Sequence, residues 1–162
     1  MVTGKEQRHV TVVQSENNRS EFTVRPAMAE DAEEIARLAT ELGYPSSAQE
    51  VEARLKSLVK DPEHAAFVAA KAGRVIGWVH VFVKHLLESD EEAEIGGLVV
   101  DARHQGSGAG HLLMQHAEQW ARAKGLRSVY LRSNVIRKDA HAFYQKSGYQ
   151  VVKTQFALRK IL

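Results

Sequence analysis

Residues 93–124 constrain the fold most strongly, because they join a hydrophobic strand to an amphipathic helix through a glycine-rich turn. The strand is predicted over Ala93–Val100 and the helix over about Gly110–Lys124. The turn between them, Gln105–Gly110, holds three glycines. Glycine permits positive φ and close backbone approach, so amides of such a turn and of the following helix N-terminus can converge on an anion. The pattern predicts a diphosphate-binding turn, although a turn of this kind can also serve packing alone.

Two common nucleotide-binding patterns do not match this turn. A dinucleotide site needs GxGxxG early in a βαβ unit with an acidic residue about 20 positions on, and a Walker-type site needs GxxxxGK followed by Ser or Thr. The turn Gln105–Gly110 fits neither pattern. Dinucleotides and ATP are therefore not the favoured ligands.

The rest of the chain predicts one domain over residues 21–162, preceded by a polar leader at 1–20 that we expect to be flexible. Periodicity and capping signals give the other elements. They are a strand at 22–25, a helix at about 30–42, a helix opened by Ser47 and Glu50 with Val51, Leu55, Leu58 and Val59 on one face, strands at 65–70, 75–83 and 128–132, a helix at about 138–146, and final strands within 149–161. This order predicts an α/β (α+β) fold, with a mixed, mostly antiparallel sheet of six to seven strands and helices on both faces.

The amino-acid composition of the chain argues against several classes of function. The 22 Lys and Arg residues nearly balance 20 Asp and Glu residues, so no nucleic-acid partner is expected. No apolar run approaches the roughly 20 residues of a membrane span, and no secretory segment is readable, which predicts a cytoplasmic protein without a membrane partner. The chain has no cysteine, and its eight histidines lack HExxH spacing, so no metal site is predicted.

The glycine turn resembles the GNAT acetyltransferases. Gln105-x-x-Gly108-x-Gly110 is similar to the family motif (Gln/Arg)-x-x-Gly-x-(Gly/Ala), whose backbone amides bind the CoA pyrophosphate. Arg103-x-x-Gly106-x-Gly108 also fits, but the first register places Leu113 where the family's helix turns its first leucine inward. The resemblance implies a set of CoA-binding residues in this turn: Gln105, Gly106, Ser107, Gly108, Ala109 and Gly110.

The strand before the turn resembles the family's fourth strand. Its Gly96-Gly97 pair predicts a β-bulge that splays the strand from its neighbour and leaves amides for a ligand. An amide near Leu98 would then hydrogen-bond the thioester carbonyl and stabilise a growing oxyanion. The resemblance implies backbone contacts to pantetheine from Leu98, Val99 and Val100.

A second family motif is recognisable in residues 134–149. Asn134 is implied as a pantetheine contact, although Arg137 stands where many members place the asparagine. Tyr144 matches the tyrosine that acts as general acid in many members. The alternative for Tyr144 is an aromatic packing role beside Phe143.

Amide formation from a thioester needs a neutral amine and a protonated leaving thiol, whose free pKa values are about 10.4 and about 8.5. Glu94, in the strand expected to line the cleft, is the candidate base, and a water chain to bulk solvent is the alternative. The absence of cysteine and of a GxSxG elbow predicts direct attack in a ternary complex.

The predicted function is transfer of an acetyl group from the cosubstrate acetyl-CoA to a primary amine. Five carboxylates between Glu88 and Glu94 would concentrate a cationic amine, or they form a solvated loop. Residues 137–144 resemble aminoglycoside and aminoalkylphosphonate acetyltransferases, which implies a small-molecule amine, and the family resemblance implies a homodimer. A protein or peptide N-acetyltransferase and a non-catalytic CoA-binding sensor remain as alternatives.

Overall fold

A central sheet of five strands, flanked by helices on both faces, forms the structure, a computed structural model that describes residues 22–162. The expected leader at 1–20 lies outside the described residues. The elements are β1 Thr23–Pro26, α1 Ala32–Leu42, α2 Ala48–Leu58, β2 His64–Lys71, β3 Arg74–Lys84, β4 Glu92–Val100, α3 Ala109–Ala123, β5 Val129–Leu131 and α4 Lys138–Lys146, with 3-10 turns at Ala29–Asp31 and Ala102–His104. The predicted fold class is confirmed.

Local signals fix the ends of the first two helices. Gly43 ends α1 in the left-handed conformation, with φ 99°. At the start of α2, the Ser47 amide donates to Glu50 Oε2 at 2.8 Å and the Glu50 amide donates to Ser47 Oγ at 3.2 Å. The predicted capping box is confirmed. Val59 departs from its predicted buried face, because it is 68% exposed past the end of the helix.

The sheet separates two hydrophobic cores. Strands β1 to β4 are antiparallel in chain order, and β5 runs parallel to β4. One face packs against α3 and the other against α1 and α2. The α3 core contains Val79, Val81, Ala93, Ile95, Leu113 and Met114, and the α1 core contains Leu38, Val51, Leu55, Val68, Val75 and Val99.

The pairing of strand β4 with its two neighbouring strands changes at Gly96. Its register with β3 runs Ile95 opposite Val81 and Gly97 opposite His80, which leaves Gly96 as an extra, bulged residue. Its pairing with β5 covers only residues 93–95 against 129–131. The bulge predicted at Gly96-Gly97 is confirmed, and it coincides with the point where β4 and β5 part.

The predicted strand count of six to seven is wrong, since residues 22–162 contain five strands. The expected final strands within 149–161 do not form, and residues 150–162 are exposed without regular secondary structure. The β-branched and aromatic residues there, such as Val151, Val152 and Phe156, favour a strand by propensity. A sequence pattern cannot show whether a segment pairs with an edge of the sheet. In this structure residues 150–162 pair with no strand. None of the helices in the described part of the chain is long and apolar enough to cross a membrane.

Candidate active site

A cavity of about 1230 Å³ opens where β4 and β5 part. Strand β4 contributes Glu94 and the exposed Gly96 to its wall. Other walls come from the loop after α1, the segment after β5, α4 and the C-terminal segment: they include Tyr44, Arg132, Ser133, Asn134, Tyr144 and Phe156. The cavity therefore reaches residues attached to both faces of the sheet.

The glycine turn presents free backbone amides at the start of α3. Gly106 and Gly108 have φ 76° and 94°, and a Cβ at either would meet nothing within 4 Å in the described structure. The backbone conformation, not crowding, therefore requires glycine at both positions. Within the helix, the Leu112 amide donates to the Gly108 carbonyl at 3.1 Å, so the amides of residues 109–111 precede the helical ladder and are available to an anion.

Buried Asp101 fixes the start of this turn. Its carboxylate accepts hydrogen bonds from Arg103 Nη2 at 2.8 Å, from the Arg103 amide at 2.9 Å and from Arg37 Nη2 at 3.0 Å. These bonds, led by the Arg103 side chain, hold the pKa of Asp101 well below its usual range despite burial. The Arg103 guanidinium is thereby committed to Asp101 and anchors the loop that leads into Gln105.

Tyr144 is half-buried on the α3 side of the cleft. Its ring lies at centroid distances of 5.3 Å from Phe143 and 5.9 Å from Tyr149, with near-perpendicular geometry in both cases. Burial raises the pKa of Tyr144, with a smaller opposing influence from Arg137. The phenol is therefore protonated throughout the neutral range and can act as a proton donor.

Glu94 is a buried, ion-paired carboxylate, 4% exposed. Its neighbours Ala93 and Ile95 face the α3 core, so the Glu94 side chain lies on the opposite face of the sheet. Arg132 Nε donates to Glu94 Oε1 at 2.9 Å, and Lys84 Nζ lies 3.6 Å from Oε2. The carboxylate is thus ion-paired with two cations in the wall of the cavity.

The acidic stretch before Glu94 is partly neutralised by neighbouring cations. Glu92 pairs with Lys84 at 2.6 Å, and Glu91 lies 3.1 Å from His85 Nδ1. Glu88 and Asp90 are exposed. The stretch is therefore a mixture of ion pairs and solvated side chains.

Of the other predicted cofactor residues, Asn134 lines the cavity, whereas Leu98–Val100 and the turn Gln105–Gly110 lie outside its lining. The backbone of Leu98–Val100 lies past the point where β4 leaves β5, and the side chains alternate between the two cores. Asn134 shapes the turn into α4, because its Oδ1 accepts from the Ile136 amide at 3.1 Å. Its carbonyl accepts from the Arg137 amide at 3.0 Å. The exposed stretch 105–108 is accessible to ligand.

Two features of the structure had no sequence signal. Ser133 Oγ is buried without a hydrogen-bond partner among the described residues, and Ser133 lines the cavity. Outside the cavity, His64 and His80 hydrogen-bond across the β2–β3 hairpin. Within residues 22–162, no group of three or more His, Asp or Glu side chains is placed to hold a metal ion.

The chain matches known acetyltransferases in sequence. The model of the acetyltransferase (GNAT) family matches residues 29–149. An aminoglycoside N(6')-acetyltransferase type 1 from Stenotrophomonas maltophilia is 32% identical over 133 residues, which are 79% of this chain and 86% of the relative. An aminoalkylphosphonate N-acetyltransferase from Salmonella typhimurium is 33% identical over 103 residues, 63% of this chain and 66% of the relative.

Solved structures show the same fold. AAC(6')-Iy, in complex with the bisubstrate analogue CoA-S-monomethyl-acetylneamine, superposes with a TM-score of 0.77 at 16% identity, over 87% of this chain and 99% of that one. An aminoglycoside 6'-N-acetyltransferase from Acinetobacter haemolyticus gives 0.74 at 17% identity, over 86% and 99%. With the sequence match, these findings show that the chain belongs to the GNAT acetyltransferase family and is an acetyl-CoA-dependent N-acetyltransferase.

Proposed function

We propose that the protein transfers the acetyl group of acetyl-CoA to a primary amine of a small molecule, by direct attack in a ternary complex within the β4–β5 cleft. The observation that carries this proposal is one continuous cavity lined by Glu94 and Tyr144, which belong to opposite faces of the sheet. A proton donor for the leaving group and a carboxylate for the amine therefore flank one space.

The residues present fit acetyl-CoA. The glycine turn, which contains Gln105 and Ser107, leads to the unpaired amides of residues 109–111 and to the positive end of α3, which suit the pyrophosphate. The Gln105 register fits the family motif, whose last position accepts Gly or Ala. In this register the last position is Gly110, which is helical and would tolerate alanine. In the Arg103 register the last position would be Gly108, whose positive φ disfavours alanine. The unpartnered Ser133 hydroxyl, Asn134 and the β4 backbone past Gly96 suit the amides of pantetheine.

Bound acetyl-CoA supplies an activated acetyl thioester. Its carbonyl carbon forms a C–N bond to the amine, and the C–S bond to CoA breaks. The backbone amide near Leu98 stabilises negative charge on the thioester oxygen. Tyr144 donates its phenolic proton to the departing sulfur, and the second proton that the attacking nitrogen loses restores the phenol, directly or through water. Glu94, whose carboxylate is ion-paired with Arg132 and Lys84, binds the ammonium form of the amine and takes up one proton, which then passes to solvent.

The substrate class follows from the named relatives. The aminoglycoside and aminoalkylphosphonate acetyltransferases match 79% and 63% of this chain, which supports a small-molecule amine. The partly paired acidic stretch leaves Glu88 and Asp90 free to attract a cationic amine. A homodimer stays a prediction, which light scattering coupled to size exclusion tests directly.

Calorimetric titration with acetyl-CoA, CoA and ATP, followed by thiol-release assays, tests this function. We expect binding and thermal stabilisation by both CoA species and not by ATP, since a ligand that binds the folded state raises its stability. Thiol release would then be screened with kanamycin, 2-aminoethylphosphonate and a lysine-containing peptide. Turnover with the peptide alone would overturn the small-molecule assignment, and binding without turnover of any amine would favour a sensor domain.

A further inference from the structure

The cavity wall carries more positive than negative charge. Of the residues that line it, five are Arg or Lys and three are Glu. Each of the three glutamates already pairs with a neighbouring cation, in the pairs Glu92–Lys84, Glu94–Arg132 and Glu118–Arg122. The acidic residues of this wall are therefore neutralised before any ligand binds, and positive charge is left over.

The surplus comes from three lining cations that have no carboxylate partner among residues 22–162: Arg127, Lys153 and Arg159. Lys153 Nζ lies 5.9 Å from the centroid of the Tyr130 ring, and Lys84 Nζ lies 3.8 Å from the same centroid. The exposed acidic residues Glu88 and Asp90 lie outside the lining, so they do not offset this charge within the cavity. A ligand with only positive charge would add to the imbalance.

Arg132 presents a free edge of its guanidinium beside Glu94. Its Nε donates to Glu94 Oε1 at 2.9 Å, and its Nη2 lies 2.9 Å from the same oxygen. The third nitrogen, Nη1, makes no hydrogen bond or ion pair to a described residue. The Arg132 side chain is 66% exposed, whereas that of Glu94 is 5% exposed. A buried carboxylate and an exposed guanidinium thus lie side by side in the cavity wall.

This arrangement is complementary to a short molecule that carries both charges. An ammonium group would meet Glu94, and an anionic group on the same molecule would meet the free edge of Arg132, with Lys153 as a second cation. Guanidinium N–H groups match the oxygens of carboxylates and phosphonates in geometry and bind them through charge-assisted hydrogen bonds. A second ammonium at that position would face like charges instead, which disfavours polycations.

We propose that the acetyl acceptor is a short primary amine that also carries a carboxylate or phosphonate, and that Arg132 and Lys153 recognise this anionic group. The inference rests on the proposed function and deepens it, because it selects one class among the small-molecule amines. Arg132 and Lys153 determine specificity, whereas the chemical step stays with the groups assigned above. Among the amines to be screened, the inference favours 2-aminoethylphosphonate over the polycation kanamycin.

A thiol-release assay with four amines tests this specificity: β-alanine, its uncharged isostere β-alaninamide, 2-aminoethylphosphonate and kanamycin. We expect kcat/KM for the anionic amines to exceed that for β-alaninamide about 10- to 100-fold, the effect of one charge-assisted hydrogen bond or two. A preference for only one of the two anionic amines would identify the anion as a carboxylate or as a phosphonate. Equal values for the three short amines, or faster turnover of kanamycin, would overturn the assignment and leave the acetyltransferase function intact.

The variants Lys153→Gln and Arg132→Gln test the two residues. We expect each to lower the ratio of kcat/KM for β-alanine to that for β-alaninamide about tenfold. A general loss of activity from a displaced Glu94 would leave this ratio unchanged. Lys124→Gln is the matched control, because Lys124 also lies over an aromatic ring, at 5.5 Å from Trp120, but outside the cavity lining. Weaker CoA binding by both variants with an unchanged ratio would assign the two cations to the cofactor phosphates and overturn the proposal.

Calorimetry gives a readout that does not depend on turnover. β-Alanine and β-alaninamide are titrated into the wild-type protein saturated with CoA. We expect β-alanine to bind about tenfold more tightly, and Lys153→Gln to lose this difference. If wild type acetylates none of the amines, the proposed function fails, and the two affinities still decide whether the cavity selects an anion. Equal affinities in wild type would overturn the inference.

Discussion

Gly110 of α3 and Phe143 of α4 lie in contact, such that a Cβ on Gly110 would be 3.4 Å from Cζ of the Phe143 ring. The His111 ring, one residue on, lies at a centroid distance of 5.3 Å from Phe143. This contact joins the first turn of α3 to the helix that carries Tyr144. One packing interaction therefore positions both the turn that we propose binds the pyrophosphate and the helix of the proposed proton donor.

Alanine at Gly108 should weaken acetyl-CoA binding far more than alanine at Gly110. Gly108 has φ 94°, where alanine costs about 1–2 kcal/mol, whereas Gly110 is helical and its Cβ would make ordinary contacts. By calorimetry we expect Gly108→Ala to weaken acetyl-CoA binding about tenfold and Gly110→Ala to change it less than threefold. Gly73→Ala in the β2–β3 turn, with φ 79°, is the control, since it adds similar strain away from the cleft. Weakened binding in Gly110→Ala alone would contradict the assigned geometry.

Removal of the Tyr144 hydroxyl should slow catalysis without weakening cofactor binding. The hydroxyl has no hydrogen-bond partner in the described part of the chain, so Tyr144→Phe loses no protein contact. We expect a 10- to 100-fold lower kcat in a thiol-release assay with an unchanged dissociation constant for CoA. Tyr149→Phe is the matched control, because it breaks the 3.1 Å bond to Glu118 and should reduce stability while keeping kcat. Equal kcat values for Tyr144→Phe and wild type would assign Tyr144 to packing.

Ser133→Ala should separate ligand binding from stability. A buried hydroxyl without a partner costs free energy in the unliganded protein, so its removal should leave unfolding stability unchanged or raised. If the hydroxyl bonds pantetheine, acetyl-CoA affinity should fall about 3- to 10-fold. Ser47→Ala gives the opposite pattern, with a loss of about 1 kcal/mol of stability from the broken helix cap and normal affinity. A Ser133→Ala protein with wild-type affinity would remove Ser133 from the cofactor site.

Features that depend on neighbouring residues in the chain were predictable from the sequence. Contacts that depend on how the strands pair were not. The helix at 138–146 and the stop at Gly43 follow from periodicity and a glycine with positive φ. The Gly96-Gly97 bulge was also readable, since glycines inside a strand mark irregular pairing. In contrast, the ion pair of Glu94 with Arg132 depends on residues 38 positions apart. No local pattern reports which distant side chains a sheet brings together.

The same distinction explains the histidine pair. His64 and His80 are 16 residues apart and meet only because the β2–β3 hairpin places them across adjacent strands. A one-residue change of register would send one ring to the α3 core and break the pair. Short sequence motifs such as HExxH, which were used to search for metal-binding histidines, cannot detect such a contact.

His80 should make the protein less stable as pH falls from 6.5 towards 4. Its pKa is about 4 in the folded protein and about 6.5 in the unfolded chain, so the unfolded state binds more protons within this window. Stability from this source is fully present above pH 6.5 and decreases as pH falls, by on the order of 3 kcal/mol at pH 4. Denaturant unfolding at pH 4.5 to 7.5 should show a flatter pH dependence for His80→Gln than for wild type. The difference between the two curves cancels other titrating groups, and His116→Gln should follow wild type. Parallel curves for wild type and His80→Gln would mean that burial does not lower the pKa of His80 in the folded protein.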